Sequence, residues 1–238
     1  MKNFLIAFLG LGIVWGNKVA LLSYNTAGVF RRFEKGSKEF ELLRTKLAKD
    51  LANRVSKEAE LVIFAFQEIW DVSNTISETF SLIRDVTRDS LSERVLSFTR
   101  GVMEVAYQKR DFTCLSEQNH SLMTVACRFS GFRKPASSGW LKAAFKYGWN
   151  ENGSSTSTYI FGFKGLLATS VALDQTKQIL IINLHLSSKK LEDRRKGLLT
   201  AFELAKPYIE SGRFVVLLAG DFNARSFSLV LQNPKKIT

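Results

Sequence analysis

Apolar residues in this chain fall into short runs and stripes between charged stretches, and their spacing predicts most of its elements. Val19 to Tyr24 is a short apolar run ending at Asn25 and reads as a strand. In the charged segment that follows, Phe40, Leu43, Leu47, Leu51 and Val55 recur at steps of three and four, one apolar face of a helix. Leu61 to Phe66 is continuously apolar, as in a strand covered on both faces, and leads into Gln67-Glu68-Ile69-Trp70. Ser77 to Val86 predicts a helix. Val95 to Phe129 predicts strands and loops, clearest at Leu122 to Phe129, where Met123, Val125, Cys127 and Phe129 alternate with their neighbours. Arg133 to Thr158, rich in Gly, Ser, Lys and aromatics, predicts a long surface loop. Gly165 to Leu173 and Gln178 to Leu184 predict a strand pair joined at Asp174-Gln175. Leu191, Leu198, Phe202 and Ala205 mark a helix that Pro207 ends or kinks. Phe214 to Leu218 is the last clear strand. Helices falling between strands predict an α+β class with stacked sheets and helices outside, in α/β/β/α layers.

At 238 residues, 45% of them hydrophobic, the chain is long and apolar enough for one domain with a sizeable core. Its net charge of +12 favours anionic partners such as nucleic acid, phosphorylated substrates or an acidic membrane surface. The same lysines also fit a merely solvated surface. Lys2, the apolar run Phe4 to Trp15 and the small residues around Gly16 have the pattern of an export signal, too short between Lys2 and Lys18 for a comfortable membrane span. The other reading of that run is a buried strand or helix. Export makes 1–16 a signal peptide and places the remainder, 17–238, in the medium or periplasm. Cys114 and Cys127 either pair, as an oxidising compartment allows, or stay as two buried thiols. Two histidines and two cysteines fit no common zinc spacing. Asn119-His120-Ser121 and Asn152-Gly153-Ser154 are glycosylation sequons, meaningful only in a eukaryotic source.

Four of the predicted buried strands end in polar residues: Asn25, then Gln67 and Glu68, then Asn183 and His185, then Asp221 and Asn223. Singly each has a structural explanation in a turn or a solvated strand end. Together, strand ends on one edge of a sheet can converge on one pocket. Glu68 and Asn25 are hard oxygen ligands suited to Mg²⁺. Asp221 and Asn223 can position a phosphate and an attacking water, and His185 can donate to a phosphoryl oxygen. A metal with oriented donors stabilises the charge that develops in phosphate ester hydrolysis.

The segments LLSYNTAG, IFAFQEIW, IINLHLSS and LLAGDFNA, in this order and spacing, resemble the endonuclease/exonuclease/phosphatase superfamily of deoxyribonuclease-like enzymes over roughly Lys18 to Ala224. The resemblance implies a four-layer α/β/β/α sandwich of two mixed sheets flanked by helices, with a divalent-metal phosphodiesterase site at one end. It implies Glu68 as main metal ligand, Asn25 as auxiliary ligand and Mg²⁺ or another divalent cation as cofactor. In the same terms His185 contacts the phosphate, Asp221 orients or activates the nucleophilic water, and Asn223 holds a phosphate oxygen. Ser138-Gly139-Trp140, followed by Lys164-Gly165 and a strand, is similar to the neutral sphingomyelinase branch, although LKAAFKYGW replaces that branch's usual continuation. A phospholipid headgroup is then the expected substrate, acted on by a monomer. Trp140, Lys142, Phe145, Lys146, Tyr147 and Trp149 are candidates for touching a membrane surface or for ordinary loop packing.

The superfamily's further Ser-Asp-His-like motif, carrying a metal-binding Asp and a general acid or base, has no counterpart here. Phe222 to Thr238 contains no Asp, Glu or His. The expectation is a domain truncated at its C-terminal end, with sheet edges uncovered and catalysis lost or crippled. Two alternatives accompany the sphingomyelinase-like reading. One is a secreted nuclease of the same fold, favoured by the basic charge. The other is a non-catalytic module binding membranes or nucleic acid.

Overall fold

A computed structural model describes residues 4–6, 13–15, 19–26, 36–55, 57, 59–69, 81–108, 110–119, 121–131, 141–150, 163–173, 176–188 and 190–224. Among these described residues, ten strands lie in two mixed five-stranded sheets. The first, in spatial order, contains β1 (Phe4–Ile6), β10 (Phe214–Asp221), β9 (Gln178–His185), β8 (Phe163–Ala172) and β7 (Leu141–Asn150). The second contains β2 (Ile13–Trp15), β3 (Val19–Asn25), β4 (Leu61–Gln67), β6 (Leu122–Phe129) and β5 (Phe112–Asn119). β1, β10 and β9 run parallel, as do β3 and β4, and the remaining neighbours are antiparallel.

Helices cover the outer face of each sheet. Helix α1 (Lys38–Arg54) is capped by Ser37, whose hydroxyl accepts from the Phe40 amide. Phe40, Leu47 and Leu51 of α1 join Val95, Phe98, Val102 and Met103 of α2 (Ser81–Ala106) against Leu22, Phe64, Phe66, Val125 and Cys127 of the second sheet. Leu198, Ala201 and Ala205 of α3 (Leu191–Glu210) pack on Leu180, Ile182, Val216 and Leu218 of the first. A third apolar cluster, with Leu21, Ile63, Ile181 and Leu217, fills the seam between the sheets. The fold is therefore α+β, in α/β/β/α layers.

Three predicted stretches differ. Val95 to Ala106, expected as strand and loop, is the second half of α2. Its β-branched residues imitate a strand, yet Val95, Phe98, Val102 and Met103 follow helical spacing, and Thr99 returns its hydroxyl to the Val95 carbonyl. The expected loop contains β7, an edge strand with an irregularity between Ala143 and Phe145 that interrupts its alternation. Helix α3 does not end at Pro207 but continues three residues to Glu210; the proline costs the helix the one bond its missing N–H would have made to the Glu203 carbonyl four residues earlier.

Phe4–Ile6 and Ile13–Trp15, inside the stretch read as an export signal, pair with β10 and β3. The Ser138–Trp140 signal, His120, Asn152 and the tail after Ala224 lie outside the described residues. Cys114 and Cys127, directly opposite each other on β5 and β6, form a buried disulfide. Among the described residues no helix is long and apolar enough to cross a membrane.

Candidate active site

The strand period of two carries the seam from apolar to polar along its length. Counting toward the C-terminal strand ends, β3 offers Val19, Leu21, Ser23 and Asn25, and β4 offers Leu61, Ile63, Ala65 and Gln67. On the facing sheet β9 offers Ile179, Ile181, Asn183 and His185, and β10 offers Val215, Leu217, Ala219 and Asp221. The first members of each series lie in the apolar seam. The last members form the site, since both parallel pairs end together: Asn25 lies opposite Gln67, and His185 opposite Asp221.

Where the apolar seam meets the polar end sits a buried amide pair. Gln67 Nε2 donates to Asn183 Oδ1 at 2.8 Å and to the Ala65 carbonyl at 2.8 Å. Asn183 Nδ2 donates across the seam to the carbonyls of Phe66 at 3.0 Å and Met123 at 3.1 Å. The pair thus ties the two sheets one step below Glu68 and His185. Sequence reading noted Gln67 and Asn183 as polar strand ends and gave them no role.

Two backbone corners present the carboxylates. Glu68 (φ 60°) and Asn223 (φ 48°) are the non-glycine residues with left-handed backbone among those described. Such strain persists only where neighbours hold it and is common at functional sites. Thr26 holds the first corner: its amide donates to the Gln67 carbonyl at 2.9 Å, and its hydroxyl lies 2.9 and 3.0 Å from the Gln67 and Glu68 carbonyls. At the second, the Asn223 amide caps Asp221 Oδ1 at 2.9 Å and Asn223 Nδ2 donates to the Leu186 carbonyl at 2.9 Å. Gly220 precedes it with φ 144°, where any side chain would strike the backbone of Leu184.

These corners bring four of the five expected residues into one cluster. Asn25 Nδ2 donates to Asp221 Oδ2 at 2.7 Å and reaches Glu68 Oε1 at 3.2 Å. His185 Nε2 lies 3.6 Å from Glu68 Oε1 and 3.8 Å from Asp221 Oδ2. Glu68 is the most open of the three, with 26% of its side chain accessible, while His185 is fully enclosed. Asn223 flanks the cluster, its side chain tied to backbone. As placed, the Asn25 nitrogen faces the carboxylates, so acting as a metal ligand requires its amide to turn over and present Oδ1.

Lys164, at the start of β8, is a site residue that the sequence reading used only as a branch signal. Its Nζ lies 2.6 Å from His185 Nε2, and the residue is 5% exposed. A charged residue opening an apolar strand was the available clue. Burial, and secondarily the Lys164 ammonium, push the His185 imidazole down to about 3, with Asp221 partly offsetting them. His185 is therefore neutral at pH 7, and its approaches to Glu68 and Asp221 are not ion pairs.

One ligand atom each from Glu68, His185 and Asp221 lies within 4.8 Å of the others. Two carboxylates plus a reorientable amide form a hard-oxygen donor set that fits a divalent cation such as Mg²⁺. Glu68 and Asp221 against Lys164 leave these charged groups one negative charge in excess, and a doubly charged ion would reverse that sign.

No family model and no curated protein matches this sequence. Solved structures resembling the chain include TDP2 from Caenorhabditis elegans, 13% identical over 87% of this chain and 48% of that one, with a TM-score of 0.44. A humanized D. rerio TDP2 is 15% identical over 91% of this chain and 67% of that one, with a TM-score of 0.45. An endonuclease/exonuclease/phosphatase family protein from Bacteroides thetaiotaomicron is 15% identical over 89% of this chain and 67% of that one, with a TM-score of 0.43. The chain spans about half the length of the C. elegans structure.

Proposed function

We propose that this chain is a divalent-metal-dependent phosphodiesterase domain. The observation that carries the reading is the meeting of Asn25, Glu68, His185 and Asp221 at the shared C-terminal end of two parallel strand pairs from different sheets. Glu68 would hold the ion, assisted by Asp221 and by Asn25 through Oδ1. When bound, the ion supplies Lewis acidity toward a phosphoryl oxygen and makes a bound water more acidic. Asp221, fixed by the Asn223 backbone amide, orients the attacking water from its carboxylate. Asn223 has a second amide hydrogen besides the one on Leu186 and can donate it to a phosphate oxygen. Neutral His185 lines the floor and excludes water from behind the phosphate.

The test uses the purified chain, Mg²⁺ and bis(p-nitrophenyl) phosphate. Expected is slow turnover, crippled because Phe222 to Thr238 supplies no Asp-His pair, that EDTA and Glu68→Ala abolish. Turnover that is absent, or that persists in Glu68→Ala, refutes the reading. As substrate class we favour a phospholipid phosphodiester of the sphingomyelin type, on the motif resemblance. The net charge of +12 supports duplex DNA as the second reading. Hydrolysis of sphingomyelin liposomes against plasmid DNA separates the two. A non-catalytic module instead predicts binding to either surface that survives EDTA and Glu68→Ala.

Export belongs to the same proposal and is supported by the Cys114–Cys127 disulfide, a bond of oxidising compartments. Removing 1–16 would also take β1 and β2 from the outer edges of β10 and β3. The intact mass of protein recovered from the medium decides it: a start near Asn17 supports export with cleavage, and a retained Met1 refutes it.

A further inference from the structure

Among the residues whose burial is described, Lys164 and Arg128 are the buried lysine and arginine. Burying a charge is costly unless partners offset it. For Arg128 the offset is structural. Its guanidinium reaches the carbonyls of Ala172 and Leu173 where β8 ends, with Glu60 adding a favourable charge. Lys164 lies at the opposite end of the same strand and points its ammonium at His185 Nε2, the atom that faces both carboxylates. β8 runs antiparallel to β9 with Gly165 opposite His185, so the start of β8 is held at the site by the sheet itself.

The polarity of that contact matters. A charged ammonium at 2.6 Å leaves Nε2 only the acceptor role, which requires the tautomer protonated at Nδ1. Nδ1 is buried without a hydrogen-bond partner. While Lys164 occupies Nε2, His185 cannot offer that nitrogen's proton to a phosphate. The donor at this position is the lysine.

Resting on the phosphodiesterase reading, we infer that Lys164 is a catalytic residue that contacts a non-bridging phosphate oxygen, with His185 as the group that positions it. Its charge opposes the two carboxylates that repel a monoanionic phosphodiester, and it strengthens the grip on phosphate as negative charge builds up. A fixed donor of this kind is worth on the order of 10²–10³ in kcat.

The direct probe is inorganic phosphate titrated calorimetrically into the full chain with saturating Mg²⁺. Lys164→Met is expected to weaken phosphate binding about tenfold or more and to keep Mg²⁺ affinity, while Lys164→Arg retains most of the phosphate affinity. On bis(p-nitrophenyl) phosphate the Met variant should lose kcat more than KM. A folded Lys164→Met variant that binds phosphate like wild type overturns the inference, as does a wild-type chain that binds none. If the Met variant fails to fold, the amine ¹⁵N signal of Lys164 in the unmodified protein must shift on adding phosphate, and an unmoved signal overturns the inference. Lysine-dependent phosphate binding without turnover refutes the phosphodiesterase reading alone. Normal turnover in Lys164→Met refutes the role of Lys164 alone.

Discussion

Asn183→Leu tests how the site is suspended between the sheets. The replacement keeps the branched skeleton, so no cavity opens, and it removes the hydrogen bonds while adding some bulk. The Phe66 and Met123 carbonyls each lose a buried donor, and Gln67 Nε2 loses its 2.8 Å acceptor while retaining Ala65. A buried polar group left short of a partner costs about 1–3 kcal/mol. Two carbonyls and a weakened amide therefore give a loss of roughly 2–5 kcal/mol. Urea melts at pH 7 measure it, with an unchanged m-value showing that the denatured state is the same. Gln67→Met should cost a similar amount, and the double variant much less than the sum, since the two amides share one bond. A loss below about 1 kcal/mol for Asn183→Leu, or simple additivity with Gln67→Met, refutes the claim that this pair fastens the sheets together.

Further outcomes follow from single features. Gly220→Ala should destabilise by about 3 kcal/mol or more and abolish turnover, because its Cβ would strike the Leu184 backbone beside Asp221; a thermal melt within a degree of wild type contradicts this. Replacing Cys114 and Cys127 together by Ala should cost about 3 kcal/mol, and a reductant should then leave the variant's melt unchanged. His185 takes up its proton near 6.5 when unfolded and only at about 3 when folded. Between those values the unfolded chain binds more protons, so this contribution is complete above pH 6.5 and is lost as pH falls toward 3. The loss is of order several kcal/mol, and His185→Asn should flatten that part of the stability–pH curve.

The strands that carry the site were legible because each is a continuous apolar run closed by a polar residue that a covered strand has no reason to bury. Leu61–Gln67 and Gln178–His185 are examples. Helix α1 was legible from the spacing of its apolar residues. Three features were obscured, each for a separate reason. In α2 the β-branched Val95, Thr99 and Val102 carry strand propensity, and only packing against β4 and β6 selects the helix. In β7 the irregularity after Ala143 breaks the period of two. Lys164 has no periodic signal at all: its place depends on which strand lies beside β9, a fact of sheet order that local sequence does not contain. The disulfide was equally open until β5 and β6 were in register.

The 2.7 Å bond between Asn25 and Asp221 joins residues 196 positions apart. A chain emerging from the ribosome presents Asn25 and Glu68 early and has neither His185 nor Asp221 until β9 and β10, the last described strands, are made. Every nascent chain that lacks β10 holds an incomplete site. Whatever chemistry the finished cluster performs is thereby withheld until β10 is made and pairs with β9.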